Sequence, residues 1–168
     1  MEFRKTKKSD IKDVMKIIKQ AQKYFKEQGI DQWQNNYPNE DIINIDIEND
    51  ESYVLLKDNE IIATTVISFN REKNYETIVD GKWLTDGEYA AIHRIAVTVK
   101  LKGYGISNKM IAYAESLCRN RKIKSIKVDT HRDNLSMQAL LKKNNFKYCG
   151  FIFLEDGAER IAFEKVLG

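Results

Sequence analysis

The sequence predicts a single α/β domain, and three observations support that fold class. Strand-like and helix-like segments are interleaved along the chain in the order β-α-α-β-β-β-α-β-α-β-β. No internal repeat, low-complexity tract or linker interrupts this order, so we expect one domain over residues 1–168. A chain of 168 residues is also long enough to bury one good hydrophobic core.

Helical spacing and turn residues define the elements in the first half of the chain. Apolar residues recur at helical spacing over 11–25, and Gly29 follows as a helix stop. The only proline, Pro38, is expected to start a second helix. The Asp58-Asn59 pair separates two β-branched runs as a hairpin turn does. The predicted elements are strands at 3–5, 52–57 and 60–70 and helices at 11–28 and 38–47.

A polar stretch at 71–88 opens the second half and is predicted to be a long insertion or a small hairpin. Helical spacing then follows Gly105, and it appears again after Asp133 and Asn134, either of which is a helix-capping residue type. Gly157 lies in the turn of a closing hairpin. The predicted elements are strands at 89–98, 124–130, 146–154 and 158–166 and helices at 106–122 and 134–144.

Composition and charge argue against several classes of protein. A net charge of +3 favours anionic ligands slightly but is too small for a nucleic-acid-binding surface. The chain has no run of 18 apolar residues, so we expect no membrane span, and Met1 to Lys5 lacks the apolar stretch of a signal peptide. Cys118 and Cys149 lie in unrelated contexts without a metal-binding pattern, so we expect two buried thiols and a cytoplasmic location.

The most informative stretch is the run KGYGIS, from Lys102 to Ser107. A predicted strand leads into it and a predicted helix leads out, so the N–H groups of the first helical turn lack partners within the helix. Together with the positive end of the helix dipole, they form a cradle for an anion. Gly103 and Gly105 let the backbone approach a phosphate without an intervening Cβ. This predicts a phosphorylated ligand, although two glycines in six residues also make an ordinary strand-to-helix turn.

With these motifs in this order, the chain resembles the GCN5-related N-acetyltransferase (GNAT) superfamily over essentially its whole length. The family's pyrophosphate signature is Arg/Gln-x-x-Gly-x-Gly/Ala, and the run Lys102 to Ser107 keeps the glycine at the fourth place, Gly105. Lys102 replaces Arg or Gln and keeps a positive charge, while Ser107 replaces the last small residue. The segments Ile30 to Gln34 and Ala91 to Arg94 resemble a bacterial subgroup of unassigned substrate.

The resemblance implies a GNAT fold, in which six to seven strands form a mixed, mostly antiparallel sheet, flanked by about four helices and splayed between strands 4 and 5. It implies acetyl-CoA as the cofactor and direct transfer of its acetyl group to a neutral amine in a ternary complex. The fourth strand would pair with the pantetheine arm, and Asn134, at the start of the next helix, would help to hold the cofactor. The implied cofactor-binding residues are Ile95, Ala96, Val97, Lys102, Gly103, Tyr104, Gly105, Ile106, Ser107, Asn108 and Asn134.

Two residues are candidates for the catalytic base. Histidine is a side chain able to exchange a proton near neutral pH, and His93 lies near the splayed strand, where members of the family often place a base. A histidine packed in the sheet or hydrogen-bonded to the insertion is the alternative. Asp129 falls on the fifth strand, where some relatives carry a glutamate base, but a local hydrogen bond at the strand end is the simpler interpretation.

The chain departs from the family at Leu141, seven residues after Asn134, where many members carry a tyrosine that protonates the leaving thiolate. Leucine has no proton to donate. Tyr104, Tyr113, Tyr148 or water could substitute for it. A thiol with a pKa of about 8.5 also gives a thiolate that leaves fairly well without an acid, so we assign no general acid.

The acceptor side is less defined. Trp33 and Tyr37 lie between the first two predicted helices, a segment that borders the acceptor pocket in this fold, and either could stack on a substrate or anchor a long loop. We expect a small-molecule amine as acceptor, without a nucleic-acid or membrane partner. An acetyltransferase for proteins or peptides, a non-catalytic acyl-CoA sensor and a mononucleotide binder of another fold are the alternatives. The apolar run from Phe151 to Leu154 is compatible with a homodimer and equally with core packing.

Overall fold

The computed structural model describes residues 1–168 and confirms the predicted fold class. Seven strands form one mixed sheet in the order β1-β2-β3-β4-β5-β7-β6, with β4 parallel to β5. The strands are β1 (Glu2–Lys5), β2 (Ser52–Lys57), β3 (Glu60–Ser68), β4 (Ala90–Val97), β5 (Ser125–Thr130), β6 (Lys147–Phe153) and β7 (Glu159–Val166). The helices are α1 (Ile11–Glu27), α2 (Glu40–Glu48), α3 (Ile106–Asn120) and α4 (Leu135–Lys143).

Each predicted strand and helix is present, and the differences are confined to element ends and to the insertion. α2 begins after Pro38 because Asn39 caps it: the Asn39 side chain accepts a hydrogen bond from the Ile42 amide at 3.1 Å. The 71–88 stretch contains one 3₁₀ turn, Lys73–Tyr75, and one isolated bridge to Phe151, so it is an insertion and not a hairpin.

The chain divides into two compact units. The first unit comprises residues 1–67 and 94–113, and therefore holds α1, α2, β1 to β3, the end of β4 and the start of α3. One apolar cluster joins α1 to α2 and β2, and another joins β2 and β3 to Ile106 and Met110 of α3. Burial of these side chains is the main force that holds the first unit together.

The second unit comprises residues 68–93 and 114–168. In it, β4 and β5 pair at only two positions, Ala90 with Ile126 and Ala91 with Lys127, which confirms the predicted splay. β5, β7 and β6 continue as an antiparallel ladder. The insertion packs Tyr75 and Trp83 against Ala91 and Ile152, and so covers one face of these strands. No helix in the structure has the length and apolar character that a membrane span requires.

Candidate active site

The KGYGIS loop of the first unit has the backbone geometry of an anion cradle. Gly103 and Gly105 adopt left-handed conformations, with φ of +83° and +77°, which residues with a Cβ adopt only with strain. A Cβ at Gly103 would meet nothing within 4 Å, and one at Gly105 would meet only the Asn108 amide nitrogen, at 3.8 Å. The space above both glycines is therefore open. The loop leads into the 15-residue helix α3, whose first N–H groups have no acceptors within the helix.

Two side chains of helix α1 contact this loop and the turn that precedes it. The Val99 amide donates to the Gln20 side-chain oxygen at 3.0 Å, and the Lys102 ammonium lies 4.0 Å from the centre of the Tyr24 ring. The cation–π contact holds Lys102 beside the cradle without consuming its hydrogen-bond donors. The structure therefore restrains Lys102, which distinguishes it from a freely solvated surface lysine.

A backbone irregularity interrupts β4 at Arg94, which has a φ of +49° although it is not a glycine. Its guanidinium binds both carboxylate oxygens of the buried Asp46, at 2.9 and 2.6 Å, and donates to the Tyr37 hydroxyl at 2.9 Å. Burial alone would lower the pKa of Arg94, but Tyr37 and Asp46 outweigh it and raise that pKa. Tyr37, predicted to bind substrate, is here a partner of Arg94.

The three residues predicted to border the pantetheine arm follow this irregularity. Ala96 is buried against the α1 and α2 cluster, whereas Ile95 and Val97 pack on the cluster that contains Ile106 and Met110. Trp33 meets Phe25 edge-on, with ring centroids 5.6 Å apart, and packs against the first cluster. This contact supports the loop-anchor interpretation of Trp33, and its role toward a substrate stays a prediction.

In the second unit, His93 is hydrogen-bonded to a residue of the insertion. Its Nε2 lies at hydrogen-bonding distance from the Glu72 carboxylate, and the two side chains are 23% and 30% exposed. The Glu72 amide donates to the Tyr89 hydroxyl at 2.7 Å, which fixes the start of the insertion. When a carboxylate accepts from Nε2–H of a neutral histidine, the lone pair is on Nδ1, and this is the arrangement of a general base that a carboxylate orients.

A second polar pair lies beside the first. The Tyr75 hydroxyl donates to the Asp129 carboxylate at 2.6 Å, and the Tyr75 ring lies 6.2 Å from that of His93. Burial, with the Asp129 charge, raises the pKa of Tyr75 well above its ordinary value, so the phenol keeps its proton at neutral pH. Asp129 is thus bound to a long-range partner and not to a neighbour in sequence. Its role as a base stays a prediction.

Helix α4 contains the remaining predicted residues. The Asn134 side chain accepts hydrogen bonds from the Met137 amide, at 3.2 Å, and the Ser136 hydroxyl, at 3.1 Å, so it caps the helix as expected. Leu141 is completely buried. The position that carries an acid in many relatives is therefore a core position in this chain.

The insertion also lines an open cavity of about 470 Å³ that was not predicted from the sequence. Its lining combines aromatic residues with charges of both signs: Tyr75, Trp83, Tyr89, Arg71, Lys127, Glu76 and Asp86. Lys127 is 4% exposed, and its ammonium faces the Trp83 and Tyr89 rings at 4.4 and 4.2 Å. The only signal in the sequence is a charged residue between Ile126 and Val128 on a strand, with two aromatic residues in the polar stretch before it and Tyr89 directly after that stretch.

Comparisons with known proteins agree with this architecture. The model of the acetyltransferase (GNAT) family matches residues 16–146. A GNAT-family acetyltransferase from Streptococcus agalactiae is 30% identical, with a TM-score of 0.90 over 99% of this chain and 95% of that chain. A GNAT-family acetyltransferase from Listeria monocytogenes is 20% identical, with a TM-score of 0.73 over 99% and 94%. The PaiA N-acetyltransferase from Thermoplasma acidophilum, in complex with coenzyme A, is 16% identical, with a TM-score of 0.73 over 98% of both chains. A search of curated proteins found no match.

Proposed function

Because the chain belongs to the GNAT acetyltransferase family, we propose that it transfers an acetyl group from acetyl-CoA to the primary amine of a small molecule. The donor and the acceptor bind together, and the amine attacks directly. The observation that supports this most is the KGYGIS loop, which combines two left-handed glycines, open space above them and the start of a long helix. These are the features that a pyrophosphate requires of a backbone cradle.

In this proposal the KGYGIS loop and the strand before it hold the cofactor. The amides from Gly103 to Asn108 bind the pyrophosphate, and Lys102 adds a positive charge beside it. The strand from Ile95 to Val97 borders the pantetheine arm, and Asn134 is the further residue that we assign to cofactor binding. Bound acetyl-CoA supplies the activated acyl group.

His93 is the proton acceptor in this proposal. The amine forms its new N–C bond with the acetyl carbon as the C–S bond breaks, and it must lose one proton to become an amide. His93 accepts that proton at Nδ1, and Glu72 stabilises the resulting imidazolium through Nε2–H. Glu72 acts through His93 and is a positioning residue. Leu141 is buried and its side chain has no acidic proton, so the thiolate leaves without a general acid at that position.

Calorimetric titration with acetyl-CoA tests the cradle. We expect a Gly105→Asp variant to lose binding, because its carboxylate enters the open space where the pyrophosphate would lie. Gly105→Asn is the matched control, since it has nearly the same size and the same cost at a φ of +77° but no charge. A larger loss in Gly105→Asp than in Gly105→Asn supports pyrophosphate binding, and equal affinities of the native protein and both variants would remove the proposal.

Thiol release from acetyl-CoA across a panel of primary amines tests turnover. We expect His93→Ala to lower kcat by about 10²- to 10⁴-fold, the usual contribution of a general base. Glu72→Gln should lower kcat less and shift the pH profile of kcat, because it changes the imidazolium's stabilisation but keeps the hydrogen bond. An unchanged kcat in His93→Ala assigns the proton transfer to another group.

The burial of Leu141 favours one alternative, an acyl-CoA-binding protein without turnover. Such a protein binds acetyl-CoA through the same cradle and releases no thiol with any amine. The Gly105 variants and the amine panel therefore separate the two functions, because the first test reports binding and the second reports chemistry.

A further inference from the structure

Arg94 is the only non-glycine residue inside a strand that has a left-handed backbone. Its φ is +49°, whereas the other non-glycine residues with positive φ lie outside the strands. An arginine has a Cβ that disfavours this conformation, and it lacks the short polar side chain with which Asn and Asp stabilise it locally. Contacts with residues distant in the sequence must therefore hold Arg94 in place.

These contacts come from Asp46 of α2 and from Tyr37. The guanidinium donates through Nε and Nη2 to the two oxygens of the Asp46 carboxylate, and through Nη1 to the Tyr37 hydroxyl. A bidentate pair fixes both the position and the plane of the guanidinium. A rotation of the backbone at Arg94 would pull the guanidinium out of this plane and leave a buried carboxylate, only 5% exposed, without its partner.

The part of β4 that follows Arg94 has an open edge, because β4 pairs with β5 only near its start. At the other edge, the Thr98 amide donates to the Ile62 carbonyl of β3 at 2.8 Å. Successive residues of a strand direct their peptide groups alternately to its two edges. The N–H and C=O groups of Ile95 and Val97 therefore point away from β3, toward the edge that has no partner strand.

An open strand edge of this kind suits the cofactor of the proposed reaction. The pantetheine arm of acetyl-CoA is an extended chain with amide groups, and such a chain can pair with a strand edge through its own N–H and C=O groups. A left-handed residue inside a strand resets the alternation of the residues that follow it. The conformation of Arg94 thus determines which peptide groups of β4 face the open edge.

We propose that Arg94 is a positioning residue for cofactor binding. Its ion pair with Asp46 holds the left-handed backbone that directs the peptide groups of Ile95 and Val97 toward the amides of the pantetheine arm. The inference rests on the proposed function, which supplies the cofactor. The guanidinium itself does not touch the cofactor and acts only through the backbone of β4.

Calorimetry with two ligands tests this role. Acetyl-CoA contains the pantetheine arm, and 3′-phospho-ADP is the nucleotide of coenzyme A without that arm. Arg94→Ala and Arg94→Gly both remove the ion pair, but only glycine adopts a φ of +49° without strain. We expect Arg94→Ala to bind acetyl-CoA at least about tenfold more weakly, the effect of losing one or two hydrogen bonds, and Arg94→Gly to retain most of the native affinity. Both variants should bind 3′-phospho-ADP as the native protein does.

Asp46→Asn gives an independent test that keeps the arginine. It should weaken acetyl-CoA binding and leave 3′-phospho-ADP binding unchanged, and it should have no further effect on either ligand in an Arg94→Gly background. Equal affinities of Arg94→Ala and Arg94→Gly for acetyl-CoA overturn the inference. So does a parallel loss of both ligands, which is the result expected of a purely structural ion pair.

The same titrations separate the inference from the proposed function. If the native protein binds acetyl-CoA and the variants show no selective loss, the function stands and the inference fails. If the native protein binds neither acetyl-CoA nor 3′-phospho-ADP, the proposed function fails and the inference fails with it.

Discussion

The ion pair between Asp46 and Arg94 should be among the largest single contributions to stability in the first unit, and Asp46→Asn tests this. The two side chains are 5% and 16% exposed, and the guanidinium donates to both carboxylate oxygens at 2.9 and 2.6 Å. Asn cannot neutralise the charge and can accept at only one oxygen. The substitution therefore leaves a mostly buried guanidinium without its counter-charge.

Removal of one partner from a buried ion pair costs about 3–5 kcal/mol. We expect a value near the lower end, about 3 kcal/mol, because Arg94 keeps some solvent contact and its hydrogen bond to Tyr37. Arg94 is also held at a φ of +49°, which costs a non-glycine residue about 1 kcal/mol or more. The ion pair with Asp46 helps to keep Arg94 in this left-handed conformation, so a part of the free energy that the ion pair contributes offsets the backbone strain.

Urea unfolding followed by circular dichroism measures the change. A loss of about 3 kcal/mol lowers the midpoint by about 1.5 M at an m-value of about 2 kcal/mol/M. Asp13→Asn is the matched control, since its pair with Lys16 is 57% and 76% exposed and should contribute less than about 0.5 kcal/mol. In an Arg94→Gly background, Asp46→Asn should cost less than about 1 kcal/mol, because no guanidinium is left unpaired. A loss below about 1 kcal/mol for Asp46→Asn in the native background would refute the reasoning.

Three further predictions concern the second unit. Gly81→Ala should destabilise the protein by about 1–3 kcal/mol or more, because the added Cβ would lie 1.9 Å from the Cys149 carbonyl oxygen. Gly87→Ala is the control: its Cβ would meet nothing within 4 Å, so the urea midpoint should change little. Burial raises the pKa of Cys118 to about 11, and Cys149 is also buried, so maleimide should label neither thiol at pH 8 until urea unfolds the chain; rapid labelling of the native protein would contradict this. Burial lowers the pKa of Lys127 in the folded state below its ordinary value of 10.5. Between these two pKa values the unfolded state holds more protons than the folded state, so the stability of the native protein rises with pH. Lys127→Met removes the cost of burying the charge and should therefore raise the urea midpoint more at pH 7 than at pH 10.

Local patterns were sufficient to predict the elements and the cradle. Helical spacing, capping residues and turn glycines each act within a few residues. The order of strands and helices and the KGYGIS loop could therefore be identified from residues close together in the sequence. The one shifted helix start, after Pro38, is also local, because Asn39 competes for the cap and its side chain accepts from the Ile42 amide.

The polar contacts of the candidate site could not be predicted in this way. Glu72 precedes His93 by 21 residues and Tyr75 precedes Asp129 by 54, and both partners come from a stretch without periodicity. Alternation in β5 predicts that Lys127 lies on a solvated face, yet the residue is buried because the insertion covers that face. Nothing in the sequence marks Arg94 as left-handed, since glycine is absent there.

The insertion between β3 and β4 provides a partner for the polar side chains that it covers. Glu72 binds His93, Tyr75 binds Asp129, and Trp83 lies over Lys127. Such groups are costly to bury alone, so the insertion and the strands depend on each other. The ammonium of Lys127 is covered by aromatic faces and lies on the residue opposite Glu164 of β7, whose charge favours the protonated amine.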